Sequence, residues 1–452
     1  MSSNWAENYL SDLSDEITVG YVGSMTHEYA DSGIPFLRSK NISNYEIVWD
    51  DIKYISSTFH NKIKKSVLRP GDVAVVRTGK PGTSCVIPNE LSEGNCSDLV
   101  IIRVDEKKLC PHYLCYYLNS IAVHQINAQI VGAVQQHFNV GSAKNLKIKT
   151  PSLFIQKRIS FFLQCLDNKI KLNKLTNQTL EQMAQALFKS WFADFEPVKA
   201  KIAVLEAGGS RVDATLAAMT AISGKNTDAL VIFEREHPEQ YAELKATADL
   251  FPSAMQDSEL GEIPAGWRTD IVDSIVDRLK VKNTFPADCV KQFGKHPVLE
   301  QGAKVYQGYH DEEPSFNASL QSPMFIFGDH TCVIHLSIVP FDISKNTLVL
   351  KGKGFNTYWT FFAIKGKQKF QEYKRHWSDL RIKQVIIPDE ANGLLLTNLF
   401  ANKCENLFGL LEQNRKQNMT LQNIRDNLLP KLLSGEITLP EAEQAVSEVE
   451  NV

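Results

Sequence analysis

The sequence predicts an α+β chain written twice: two mixed α/β globular units, each followed by a long helix, the two helices packing together as a coiled-coil spacer in a pseudo-twofold internal repeat. Three observations carry this. An offset of 262 sets Trp5 on Trp267 and Pro35-Phe36-Leu37 on Pro297-Val298-Leu299. An offset of 241 sets Leu166, Ile170, Asn173, Asn177, Thr179, Leu180, Met183 and Leu187 on Leu407, Leu411, Asn414, Asn418, Thr420, Leu421, Ile424 and Leu428. The order of segments is the same in both halves, and the two offsets make the second globular half about 20 residues shorter than the first.

In the globular units, Val73-Ala74-Val75-Val76 and Val100-Ile101-Ile102-Arg103-Val104 are β-branched runs bounded by polar turns, as are Met324-Phe325-Ile326-Phe327 and Thr347-Leu348-Val349-Leu350. They read as strands. Residues 113–120 and 358–365 read as short apolar helices, the second with a strand as its alternative. Apolar or Asn residues at 166, 170, 173, 177, 180, 183 and 187 step by four and three, the period of a helix packed along another helix, and no Pro or Gly falls between Ser152 and Asp194. A lone helix of that length is marginal in water, so the stripe requires a partner, and the duplicate at 407–428 supplies one. Asn173, Asn177, Asn414 and Asn418 lie in or beside the seam, where buried amides fix register; the alternative is a solvated position on the helix flank. The expected layout is a first globular unit over 1–151, a helical spacer over 152–204, an acidic linker or insert over 205–262, a second globular unit over 263–390, a second spacer over 391–435 and an acidic tail over 436–452.

The 49 Lys+Arg against 52 Asp+Glu exclude a uniformly basic nucleic-acid coat. Residues 205–265 hold 4 basic and 11 acidic side chains and residues 436–452 none and 5, so the remainder carries a positive excess able to meet a polyanion on one face. The alternative is that the acidic segments serve only to solvate linkers. Eight cysteines without a Cys-x-x-Cys pair argue against a disulfide framework and a zinc ribbon. No stretch approaches ~18 consecutive apolar residues, and the opening from Met1 to Tyr9 is polar, so a cytoplasmic chain with no membrane association is expected.

Catalytic signatures are missing. Ser223-Gly224-Lys225-Asn226 has the lysine of a phosphate loop but neither its first glycine nor its hydroxyl, and no H-E-x-x-H, G-x-S-x-G or Asn/Asp-Pro-Pro-aromatic sequence occurs. His330 beside Asp329 suggests a turn hydrogen bond or ligand contact rather than a dyad, because adjacent strand residues face opposite ways. What remains suits the reading of a surface. Arg77-Thr78-Gly79-Lys80-Pro81-Gly82 is a glycine-flexed loop that can lay Arg77 against a guanine edge while Thr78 and Lys80 hold phosphates. Arg38, Lys40, Gln135, Gln136 and His137 add donors. In the second unit Gln301, Lys304, Tyr306 and Tyr309, with His330, Thr331, Lys374 and Arg375, form comparable clusters. For each residue alone a solvated loop side chain is the competing reading; recurrence in two units strengthens the joint case.

The helix-end sequences Ala186-Leu187-Phe188-Lys189-Ser190-Trp191-Phe192-Ala193-Asp194-Phe195 and Asn427-Leu428-Leu429-Pro430-Lys431-Leu432-Leu433-Ser434-Gly435-Glu436-Ile437 resemble those of specificity subunits of Type I restriction-modification systems, the HsdS family. Ile34-Pro35-Phe36-Leu37-Arg38, residues 68–79, Gly261-Glu262-Ile263-Pro264 with Gly266-Trp267, and Ile326-Phe327-Gly328-Asp329-His330-Thr331 extend the resemblance over nearly the whole chain. It implies a non-catalytic reader of double-stranded DNA. Two target recognition domains, held apart by antiparallel helices, would each read one half of an asymmetric bipartite sequence. Two methyltransferase subunits and two restriction subunits would be recruited, with S-adenosylmethionine, ATP and Mg bound by those partners and no cofactor or metal held by this chain. The chain departs from the family's pattern at Pro151-Ser152-Leu153, where a run of prolines is usual, and its second unit lacks the Pro-Gly-Asp strand entry. A stand-alone methyltransferase or nuclease with duplicated recognition domains is the alternative, although no glycine-rich S-adenosylmethionine loop or acidic metal cluster is found. A protein-binding scaffold is a third reading, which predicts no salt-sensitive affinity for DNA.

Overall fold

The computed structural model describes residues 5–131, 137–281, 284–302 and 304–450. The chain forms two compact units, one built from Met1–Lys171 with Asn418–Val452 and the other from Leu172–Gln417. In the first, an antiparallel four-stranded sheet runs in the order Ser84–Val86, Val73–Val76, Leu99–Val104, Ser14–Val19. Alternation along the strands divides their side chains between two cores. Val73, Val75, Val100 and Ile102 pack with the helix Pro111–Leu118, whereas Ala74, Val76, Leu99 and Ile101 pack with Leu37, Ile42 and Cys96. A second, five-stranded sheet contains Ile34–Leu37 paired parallel to Gly94–Cys96. The strand Ala6–Tyr9 pairs with Lys147–Thr150 and ties the start of the unit to the residues that lead into the first long helix.

The second unit repeats this plan. Its four-stranded sheet runs Val276–Arg278, Thr347–Gly352, Met324–Gly328, Ile334–Ser337, with Phe325, Phe327, Leu348 and Leu350 on one core and Ile326 and Val349 on the other. His296–Leu299 pairs parallel to Asp342–Ile343, and Arg268–Ile271 pairs with Gln384–Ile387. Residues 358–365 belong to a helix, Thr357–Ile364, where Asn356 caps the first turn by accepting from the Tyr358 backbone N–H at 3.0 Å.

The long helices run Leu153–Phe192 and Asn392–Ser434. Within each unit they pack antiparallel. In the first, Leu166, Ile170 and Leu421 cluster with Phe162 and Ile424, and the Asn418 amide donates to the Ile170 carbonyl at 3.3 Å. In the second, Asn173 donates to Gln417 at 2.8 Å, Asn414 to Asn177 at 2.9 Å, and Asn177 to the Leu411 carbonyl at 3.1 Å. The four asparagines therefore bond across the seam rather than to solvent. Leu180 is buried, Leu187, Leu407 and Leu411 pack partly on the core of the second unit, and Leu428 packs partly on that of the first.

Met183 corrects the expected stripe: it is 52% exposed, and Ala184 at 0% takes the inward position. A straight helix turns in 3.6 residues, so a strict four-and-three spacing drifts off the buried face. Residues 205–262 are likewise no bare linker. They contain helices Arg211–Ser223, Thr227–Glu236 and Pro238–Leu250, closed over a core of Ala218, Met219, Leu230 and Ala248, followed by the hairpin Met255–Ser258 and Gly261–Pro264. Ser210 with Asp213 forms a capping box, Asn226 caps the next helix and Pro238 opens the third, so local signals start each one. The acidic tail also folds, as the helix Leu439–Glu450, with Ala442 buried in the first unit's core and Thr438 donating to Glu441 at its start.

The exchange of Met183 for Ala184 in the seam is testable by urea unfolding. Ala184→Leu overpacks a filled site and is expected to cost about 1–3 kcal/mol, whereas Met183→Ala stays within about 0.5 kcal/mol. The reverse ranking would return Met183 to the seam.

Candidate nucleic-acid interface

In the first unit the loop of residues 77–82 leaves the buried strand Val73–Val76 and is closed by the Gly82 N–H donating to the Val76 carbonyl at 3.1 Å. Gly82 has φ +92°, and a Cβ there would lie 2.8 Å from Ile126, so glycine lets the loop press on the helix Val123–Val131. Asp98, itself left-handed at φ 56°, organises the loop. Its carboxylate accepts from Thr78 at 2.5 Å and from Ser39 at 3.3 Å, and pairs with Arg77 at 3.6 Å. The Arg77 side chain is only 19% exposed, while Lys80 projects into solvent. Ser39, Lys40, Ser43, Asn44, Thr78 and Lys80 line one cleft. Arg38 and Lys40 share Asp51, with Lys53 3.2 Å from the same carboxylate, and the lysine hydrogen bonds hold the Asp51 carboxyl well below the usual carboxylate range. His137 is half-buried next to Phe138, whose N–H donates to the Arg77 carbonyl at 3.1 Å. Gln135 and Gln136 lie outside the described residues.

The equivalent connection in the second unit, residues 329–333, follows Met324–Gly328 and is closed by the Gly328 N–H donating to Val333 at 2.8 Å. Here Gln301 is the organiser. Its side chain accepts from the His330 N–H at 3.0 Å, and its carbonyl accepts from the Thr331 hydroxyl at 2.7 Å. His330 Nδ1 lies 3.0 Å from the Lys374 carbonyl oxygen, which only accepts, so Nδ1 is the donor in that bond. Asp329 instead accepts from the Trp377 N–H at 2.9 Å, so the pair is no dyad. Lys374 lies between Glu372 and Asp379 at 3.3 and 3.2 Å, and hydrogen bonds from the ammonium to both raise its pKa. Arg375 is 78% exposed and 3.9 Å from Asp329.

Gln301, His330, Thr331, Lys374 and Arg375 thus come together, whereas Lys304 is exposed outside this cluster. Tyr306 and Tyr309 face elsewhere: both engage Arg415 of the second long helix, whose guanidinium lies 5.3 Å from the Tyr306 ring centre and donates to the Tyr309 hydroxyl at 3.1 Å. They are packing residues because an aromatic ring beside a half-buried cation excludes water from it. Sequence reasoning missed Tyr373, which is 81% exposed and stacks on His330 with centroids 4.8 Å apart, and exposed Lys369 and Phe370. The signal was present as Lys365-x-Lys367-x-Lys369-Phe370, within a stretch of residues 365–383 carrying 7 basic and 2 acidic side chains. All eight cysteines are free, and no group of three or more His, Cys, Asp or Glu side chains gathers as a metal site among the described residues. Among those residues no helix is long and apolar enough to cross a membrane.

Residues 3–182 match the family model described as the Type I restriction modification DNA specificity domain. The chain is 28% identical over 475 aligned positions to the Type I restriction enzyme HindI specificity subunit of Haemophilus influenzae, covering 96% of this chain and 100% of that one. It is 24% identical to the MjaIX specificity subunit of Methanocaldococcus jannaschii, with 97% and 94% covered. Among solved structures it is similar to a Type I S subunit from M. genitalium, at 12% identity, TM-score 0.47 and 95% and 96% coverage, and to an HsdS subunit from Thermoanaerobacter tengcongensis, at 12% identity, TM-score 0.30 and 96% and 97% coverage.

His335 contacts the Tyr306 hydroxyl at 3.2 Å, and burial, with nearby Arg415 and Lys365, pulls its pKa from 6.5 down to about 4. The unfolded chain binds this proton below pH 6.5 while the folded unit refuses it until about pH 4. Its contribution to stability is therefore complete above pH 6.5 and is lost as pH falls toward 4. Thermal unfolding followed across that range should decline more steeply for the wild type than for His335→Gln; equal slopes would show that the imidazole is not titrating there.

Proposed function

We propose that the chain is a member of the family of Type I restriction specificity subunits, that it binds double-stranded DNA through the two loop clusters and that it reads an asymmetric bipartite target, one cluster per half with an unread gap between them. It then directs methyltransferase and restriction subunits, two of each, to that target in the cytoplasm. The observation that carries this reading is the recurrence of one device: in both units the connection between the same two strands of the four-stranded sheet presents cationic or hydroxyl-bearing side chains held by a neighbouring polar residue.

Each cluster divides its work. Exposed cations such as Lys80, Lys369 and Arg375 suit phosphates, which position the protein without reading sequence. Arg77 and His330, held at fixed angles by Asp98 and by the Lys374 carbonyl, suit base edges, where direction decides. S-adenosylmethionine, ATP and Mg are assigned to the partner subunits, and the chain itself to target choice without catalysis. Neither a stand-alone enzyme nor a protein scaffold is favoured by any residue cluster described above.

Reconstitution tests the reading. The chain with a methyltransferase subunit and S-adenosylmethionine should methylate one bipartite sequence in mapped genomic DNA, and the rigorously purified chain alone should methylate none. In that complex Arg77→Ala should relax one position of one half-site by about 1–3 kcal/mol and His330→Ala one position of the other half, while Lys80→Ala weakens all sequences and lowers the salt slope by about 1. Methylation by the chain alone would sink the reading, and equal weakening of specific and random DNA by Arg77→Ala would reassign that residue to phosphate.

A further inference from the structure

Each recognition domain meets the long helices at an arginine–carboxylate pair contacted by two tyrosines. In the second unit Arg415 and Glu412 form a bidentate ion pair, both bonds 2.6 Å, with side chains 17% and 11% exposed. The Tyr306 ring lies against the guanidinium, and the Tyr309 hydroxyl accepts from it. In the first unit Arg425 pairs with Asp167 at 2.7 Å, with side chains 15% and 20% exposed. The Tyr45 ring lies 5.1 Å from that guanidinium, and the Tyr116 hydroxyl donates to Asp167 at 2.6 Å. Both sites thus contain one ring beside the cation and one phenol bonded to the ion pair.

The likeness is not inherited from the duplication. At the helical offset of 241, Arg425 falls on Ala184 and Arg415 on Lys174, while Asp167 falls on Phe408 and Glu412 on Lys171. At the offset of 262 Tyr45 falls on Gln307, next to Tyr306, but the bonded phenols differ, Tyr116 lying in the helix Pro111–Leu118 and Tyr309 in the strand Tyr306–His310. The ion pair and the phenol bonded to it have thus been built twice from different positions, which points to a shared demand rather than to common descent.

An ion pair withdrawn from water returns little net stability, since desolvation offsets its Coulombic gain, and an apolar pair of equal volume would pack beneath the tyrosines as well. It supplies direction instead. Both ion pairs lie on the long helices, Glu412 and Arg415 one turn apart on the second and Asp167 and Arg425 across the seam, so the carboxylate fixes the plane of each guanidinium. The domain's tyrosine hydroxyl thus bonds to a group of set direction, which resists rocking of the domain on the helix in a way that apolar contact does not. We infer that the Tyr306–Tyr309–Arg415–Glu412 and Tyr45–Tyr116–Arg425–Asp167 clusters are positioning devices that fix the angle of each reading head on its helices and so restrict the gap length that the protein accepts between half-sites. The inference rests on the bipartite reading proposed above. These are positioning residues, since none of them belongs to the loop clusters.

The test uses the reconstituted methyltransferase complex and a library of targets with both half-sites intact and the gap varied by one base pair in each direction. Glu412→Leu with Arg415→Met keeps the packing and removes the fork; Tyr309→Phe removes one hydrogen bond only. The double variant should keep its base preferences within each half-site and unfold near the wild-type temperature, while its preference for the native gap over the neighbouring gaps falls by roughly five- to tenfold. Tyr309→Phe should shift the same ratio less. Gap preference at the wild-type level in both variants would overturn the inference and leave the clusters with packing alone. A wild-type complex that methylates one half-site without any gap preference would instead overturn the bipartite reading beneath it.

Discussion

A helix of about forty residues with a single apolar stripe has no stable existence alone in water, and both long helices here are of that kind. Each unit meets the constraint by setting the other helix antiparallel against it. Apolar contact along such a seam is nearly the same after a slip of one turn, so leucines do not fix the register. The asparagines do, because amides that donate to the Ile170 and Leu411 carbonyls find those partners in one register only. Their cost in burial is offset by bonds that exist only in the native alignment, and everything attached to the helix ends inherits that alignment.

The helix ends are where the attachment occurs. In the second unit Trp191 packs edge-on to Phe251 at 5.4 Å, and Phe192 contacts both Trp267 and Phe400. Phe195, at φ 56°, turns the chain and places its ring 5.7 Å from Trp267. In the first unit Leu429, Leu432 and Leu433 fill the core beside Tyr113 and Leu163. The two stretches that most strongly mark the family resemblance are therefore packing residues that lock helix to domain. They carry the architecture, while the loop clusters proposed to choose the target share the family resemblance only in part.

That division explains what the sequence makes legible. Residues 73–76 and 324–327 announce strands because burial on both faces requires a continuous apolar run, and the helices announce themselves by period. Residues 205–262 hide their core because only Ala218, Met219, Leu230 and Ala248 are fully buried in it, one or two from each of three short helices, too small a stripe in any one of them to stand out from an acidic surface. Tyr306 and Tyr309 carry the right chemistry for a reading face, but their orientation depends on Arg415, over a hundred residues away. Asp98 escapes a search for cations because its part is to hold Thr78 and Arg77, and Gln301, expected as a contact residue, instead braces His330 and Thr331. Local pattern thus yields elements and partners along one element. Which loop side chain is a tip and which a brace is decided by contacts distant in sequence.

The braces also bear on how a chain of net charge -3 engages a polyanion without adhering to every one it meets. Several cations at the candidate interface are already matched: Arg38 and Lys40 by Asp51, and Lys374 by Glu372 and Asp379. A solvent-exposed ion pair is weak, so a phosphate arriving with its neighbours can displace the carboxylate, but a lone or misplaced anion gains little by doing so. The Thr78 to Asp98 hydrogen bond is of another sort, short and partly shielded, and keeps the loop's shape whether or not its charged tips have exchanged partners. A preset loop carrying exchangeable cations loses less entropy on binding than a floppy one would. It also makes affinity depend on several contacts forming together, which is the condition under which one wrong base pair is felt.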